Sequence, residues 1–93
     1  MKVRYRARAL ADLDNIFLYL NERSPIGARN VLIALADAVD EIGEQPLASP
    51  RTSDAEIRVK ILGRYRYKIF YCILGSEFVE IIHVRHAARR PWV

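Results

Sequence analysis

Most side chains in this sequence that could do chemistry lie in its second half, and most of them are cations. Arg58 and Lys60 sit two apart, Arg64, Arg66 and Lys68 follow, and Arg85, His86, Arg89 and Arg90 cluster ahead of Trp92. Such a set suits the gripping of phosphates or another polyanion, with Tyr65 and Trp92 available to stack on bases or pack against a partner. Lysine and arginine on exposed strands also serve solubility and edge protection, so composition alone weighs the two readings equally.

His86 stands among arginines, whose charge opposes its protonation. A neutral imidazole can act as a general base or hydrogen-bond a phosphate or ribose, and a histidine capping a strand end accounts for it equally well. His83 has no evident partner and reads as structural. Asp12 and Asp14 read as the solvated face of a helix. Two histidines without an acidic cluster make no metal site, so no metal is expected. Cys72 lies inside an apolar run where packing explains it better than nucleophilic chemistry. Gly43, Gly63 and Gly75 suit a helix end and turns, and nothing resembles a phosphate loop or a Ser-His-Asp set. No cofactor is implied.

The elements that must position these residues follow from periodicity. Val3 and Tyr5 alternate with Lys2, Arg4 and Arg6, the pattern of a short strand with one wet face. From Ala9 the spacing turns helical, with Leu10, Leu13, Ile16, Phe17 and Leu20 as the apolar stripe. Ser24-Pro25 is an N-cap followed by proline at the first helical position. A second amphipathic helix then runs on Ala28, Val31, Leu32, Leu35, Val39 and Ile42, ended by Gly43 and Pro46. So short a connection predicts an antiparallel helical hairpin. Residues 45–54 hold two prolines and form a loop.

Three strand-like runs follow: 57–61, then 67–74, then 78–86, separated by turns at 63–66 and 75–76, which predicts an antiparallel meander. In the first run Ile57, Val59 and Ile61 are expected to face the helices, which sends Arg58 and Lys60 to the opposite face. In the second, Lys68 would join that open face with Arg66, Phe70 and Cys72, leaving Tyr67, Ile69, Tyr71 and Ile73 for the helices. Both sets contain apolar residues, so the pattern leaves this register open. The order β-α-α-β-β-β predicts an α+β fold, with the helical hairpin on one face of a small, mainly antiparallel sheet.

Bulk properties bound the rest. Ninety-three residues make one domain, 1–93. The net charge of +4 is unevenly placed: residues 1–46 carry six Lys/Arg and seven Asp/Glu, residues 47–93 nine and four. An anionic partner is therefore expected at the C-terminal half. One cysteine permits no intrachain disulfide, and no apolar stretch suits a signal peptide or a membrane span, so a cytoplasmic protein is expected.

Tyr67-Lys68-Ile69-Phe70-Tyr71 together with Ile81-Ile82-His83-Val84-Arg85-His86-Ala87-Ala88-Arg89-Arg90 resembles the signature of the RelE/ParE toxins. In that family the third strand commonly reads Tyr-Arg-apolar-aromatic-Tyr, and the last runs into an apolar-x-x-His-x-x-Arg ending. The N-terminal strand, the helix at Ala9-Leu10-Ala11-Asp12-Leu13 and the proline-started second helix extend the likeness over essentially the whole chain.

The resemblance implies the toxin of a type II toxin–antitoxin, plasmid-stabilisation system, neutralised by an antitoxin whose disordered segment folds across its surface. In the ParE branch the target is usually DNA gyrase; in the RelE branch the toxin enters the ribosomal A site and cleaves mRNA. Arg58, Lys60, Lys68 and Arg89 fall where the RelE branch keeps basic residues, and His86 on the histidine common in the ParE branch. No tyrosine follows His86, Ala87 replaces the usual glycine, and Arg90 stands where aspartate is common. The resemblance thus favours a ParE-like toxin that acts by binding. Arg64, Arg85, His86, Arg89, Arg90 and Trp92 would meet the target, and Leu10, Leu13, Phe17, Arg58, Lys60 and Lys68 the antitoxin. The alternative is a ribosome-dependent nuclease with Arg58, Lys60, Lys68 and Arg89 on phosphate and His86 in proton transfer. A non-toxic nucleic-acid-binding module is the third reading.

Overall fold

A computed structural model of the chain describes residues 1–88. The chain runs β1 (Lys2–Tyr5), α1 (Ala7–Asn21), α2 (Pro25–Glu44), β2 (Arg58–Leu62), β3 (Tyr67–Leu74) and β4 (Phe78–His86), the α+β order expected. The strands form one sheet in the spatial order β1-β4-β3-β2. The last three pair antiparallel, while β1 lies parallel to β4, with Lys2 beside Phe78 and Tyr5 beside Ile81.

The start of α2 follows the sequence signals. Ser24 is extended, and its Oγ accepts the Gly27 N–H at 3.0 Å, leaving Pro25 where no donor is needed. The helix does not stop at Gly43. It continues through it, because the missing side chain admits the start of β1: a Cβ at Gly43 would lie 3.1 Å from the Met1 carbonyl oxygen and 3.2 Å from Val3 Cγ2.

The core lies between the helices and one face of the sheet. Tyr67, Ile69 and Tyr71 of β3 and Val79, Ile81 and Val84 of β4 are all at most 1% exposed, against Ile16 of α1 and Leu35 and Ile42 of α2. Each side chain removed from water in this way contributes about 1.5–3 kcal/mol. Tyr71 satisfies its hydroxyl by donating to the Pro46 carbonyl at 2.6 Å, which ties the loop after α2 to the sheet. The buried set of β4 changes parity midway, from 79 and 81 to 84. A bulge makes this possible: Phe70 pairs with His83 and Tyr71 with Ile81, so Ile82 is the extra residue. The second-run register left open by the pattern is thereby settled, with Lys68, Phe70 and Cys72 on the face away from the helices.

Three expectations are corrected. First, the β2 register is the reverse of the one predicted. Arg58, Lys60 and Leu62 pair with Tyr71, Ile69 and Tyr67, the helix-facing residues, while Val59 and Ile61 share the other face, with Ile61 59% exposed. As an edge strand, β2 can place long cationic stems beside the helix layer and still keep their heads at the rim. Second, the buried stripe of α1 is Ala9, Asp12 and Ile16; Leu10 and Phe17 are 51% and 38% exposed, and Leu13 is half-buried. Third, Asp12 does not belong to a solvated face: it is 2% exposed.

Candidate functional site

Two groups of side chains stand out: a closed polar network where α1 meets β4, and an array of cations and rings on the open face of the sheet. The network follows from the short first strand. Beyond the Arg6 N–H, which donates to the Ile81 carbonyl, the chain turns into α1, and the free edge of β4 has no strand beside it. Asp12 fills that place. Its Oδ2 accepts the Val84 N–H at 3.0 Å and lies 2.6 Å from His83 Nδ1, while Oδ1 accepts from Arg8 Nε at 3.2 Å. A carboxylate this buried is tolerated only with its lone pairs satisfied and a cation beside it. Sequence reasoning missed the pairing, although a signal was present: positions 9, 12 and 16 lie on one helical stripe.

His83 turns its ring onto Phe70 across the strand pair, with centroids 5.8 Å apart and planes inclined by 18°. The Arg85 guanidinium lies 5.7 Å from the Phe70 centroid. Arg85 is also directly opposite Lys68. Further along the same face Arg4 covers the Phe78 ring at 4.0 Å, with Lys2 at 5.9 Å. Glu80 is taken by Arg6. Cys72, opposite Glu80, is buried, and burial pushes its thiol above the ordinary value, followed by the Glu80 charge. This opposes thiolate chemistry, in line with a packing role.

The sequence-predicted cations divide. Lys60 Nζ pairs with Glu41 of α2 at 2.8 Å, and the Arg58 guanidinium donates to the Ser49 carbonyl at 2.7 Å. Both belong to the helix side of the sheet, so Lys68, on the other face, does not join them. At the end of the sheet the turn holding Arg64, Tyr65 and Arg66 meets the exit of β4: Ala87 N–H donates to the Arg66 carbonyl at 2.6 Å, and Arg64 lies 5.3 Å from the Tyr65 ring centroid. Arg66 there has a φ of 61°. His86 packs edge-on against Tyr67, centroids 5.0 Å apart, and its Nδ1 accepts the Ala88 N–H at 3.1 Å. Arg64 and His86 are thus brought to one end, while Arg85 projects to the open face. Arg89, Arg90 and Trp92 lie outside the described residues.

Among the described residues no group of three His, Cys, Asp or Glu side chains could hold a metal, and no helix is long and apolar enough to cross a membrane.

A family described as the ParE toxin of the type II toxin–antitoxin system parDE matches residues 3–91. The toxin RelE2 of Caulobacter vibrioides is 35% identical over 82 residues, which cover 88% of this chain and 90% of that one. Y4kP of Sinorhizobium fredii is 34% identical over 86 residues, 92% of this chain and 88% of its own. Among solved structures, one described as the chromosomal ParDE TA system from P. aeruginosa superposes with a TM-score of 0.67 at 22% identity, covering 92% of this chain and 95% of that one, which shows a shared fold.

Proposed function

The chain belongs to the ParE family of type II toxin–antitoxin toxins, and from that premise we propose that it arrests bacterial growth by binding an essential target, DNA gyrase in the first place. The target side would be the end of the sheet, where Arg64 and His86 meet, with Arg85 on the adjoining open face and Arg89, Arg90 and Trp92 contributing. A cognate antitoxin, ParD-like or related, would neutralise it by folding over the exposed apolar residues of α1, Leu10 and Phe17 with Leu13 between them. The family membership suits a cytoplasmic site of action.

One observation carries the choice of binding over cleavage. A phosphodiesterase of the RelE kind would need Arg58, Lys60 and Lys68 on one phosphate. Here Arg58 and Lys60 are engaged by Ser49 and Glu41 on the helix side, and Lys68 is on the other face. The endonuclease reading therefore ranks second, and an antitoxin grip through Arg58, Lys60 and Lys68 together is likewise less supported than one through α1.

The experiment is induction of the chain alone in bacterial cells. Growth stops, co-expression of the antitoxin restores it, and stalled gyrase–DNA complexes accumulate while transcripts stay intact. Codon-phased cuts in primer-extension maps would transfer the assignment to the nuclease, and unimpaired growth at confirmed soluble expression would sink the toxin reading.

A further inference from the structure

The turn between β2 and β3 orders its residues in a way the backbone does not favour. Arg66 takes the left-handed conformation, with a φ of 61°, which strains a side chain with a Cβ and which glycine or asparagine accepts readily. A glycine does stand in this turn, at Gly63, but its φ is not positive and its surroundings leave room for a Cβ. The strained position is held instead by an arginine, two residues from a second one, Arg64. Among the described residues neither guanidinium has a carboxylate partner. A strained residue whose side chain gains no partner within the fold marks a position kept for contacts outside it.

Both arginines line an open notch of about 310 Å³, whose other walls are Leu20 near the end of α1, Val31 of α2, Tyr65 and Tyr67. It lies beside the exit of β4, where the Ala87 N–H meets the Arg66 carbonyl. No carboxylate lines it.

We propose that this notch is an anchor site for a protein segment that carries one apolar side chain between carboxylates. The aliphatic wall of Leu20 and Val31 selects the apolar group, and the two guanidiniums select the acids beside it. Nucleic acid suits the notch less well. Its bases need a free flat ring, whereas the Tyr65 ring is already covered by Arg64 at 5.3 Å and Tyr67 is 1% exposed. Phosphates would use the cations and leave the aliphatic wall in water. The inference rests on the reading of this end of the sheet as the target side and names the chemistry that side takes.

The test uses the full chain, isotope-labelled and free of any co-purifying partner, titrated with the peptide Glu-Glu-Phe-Glu-Glu and followed by amide chemical shifts. Saturable shifts centre on Leu20, Val31, Tyr65 and Arg66. The same peptide with alanine for phenylalanine binds roughly tenfold more weakly, because no large apolar side chain is buried. Arg66→Asn weakens binding about threefold, as for an exposed ion pair. It also raises the melting temperature by about 2–5 °C, since asparagine accepts the left-handed backbone. Lys2→Gln with Arg4→Gln, which removes more charge at the far edge of the sheet, leaves binding in place. The proposal is overturned if no amide shifts, if the shifts spread over the cations of the open face instead, or if the alanine peptide binds equally well. It is equally overturned if oligo-dT moves the notch amides at lower concentration than the peptide, or if Arg66→Asn lowers the melting temperature. Growth arrest on induction tests the target-side reading by itself, so either can fail without the other.

Discussion

The two faces of β3 and β4 are built from alternate residues of the same strands, yet they obey different rules. On the helix side Tyr67, Ile69, Tyr71, Val79, Ile81 and Val84 are closed to water, and the Tyr71 hydroxyl has its acceptor in the Pro46 carbonyl. On the open side Lys68 faces Arg85, and rings stack beneath cations. The first face specifies the fold through burial; the second gives up some sheet stability and presents charge. The general lesson is that a small toxin can separate folding from recognition at single-residue resolution, because side chains alternate across a sheet.

Neighbouring residues can test that separation. The largest effect is expected at the helix side: Tyr71→Ala costs about 3–5 kcal/mol in urea denaturation, while Phe70→Ala next to it, half-buried, costs about 1 kcal/mol. Equal losses at the two positions would break the comparison. Next comes the seam. Asp12→Ala leaves the Val84 N–H and His83 without their acceptor and costs about 2–4 kcal/mol. Glu80→Ala, removing a partly exposed pair with Arg6, stays under about 1 kcal/mol.

A gain is expected on the open face. Lys68→Gln removes the repulsion across from Arg85 and should raise the urea-denaturation stability by about 0.2–1 kcal/mol. A stability loss there would mean that Lys68 has a structural role.

The smallest effect concerns pH. Burial raises the Cys72 thiol above its ordinary 9.0, and burial followed by the Asp40 charge raises the Tyr5 hydroxyl above 10.0. Both groups fold in their neutral form, so their contribution is fully present below the ordinary values and is lost as pH rises through the raised ones. Denaturation midpoints should fall on the alkaline side, and Cys72→Ala should remove the earlier part of that fall.

Much of this architecture was legible beforehand. Ser24-Pro25, the α2 stripe and the meander follow from local chemistry that tertiary contacts did not override. The reversed β2 had a different cause. Arg58, Lys60, Val59 and Ile61 alternate equally well in either register, and the deciding contacts, with Ser49 of the preceding loop and Glu41 of α2, lie outside the strand. At Asp12 residue type and helical phase point in opposite directions, and phase wins. Its position between Ala9 and Ile16 put it inward, and only the unpaired edge of β4 explains why an acid is needed there. On the open face Lys68 and Arg85 were each visible as cations, but their direct opposition depends on a bulge that the sequence does not announce.

The parallel pairing of β1 has a consequence for biogenesis. Lys2 waits for Phe78, and Asp12 for His83 and Val84. At about 5–20 residues per second, translation separates the partners of β1 by roughly 4 to 15 seconds. During that interval the nascent chain lacks the strand that closes its core. The sheet therefore closes only once β4 is made, and any antitoxin already present has that whole delay in which to be waiting.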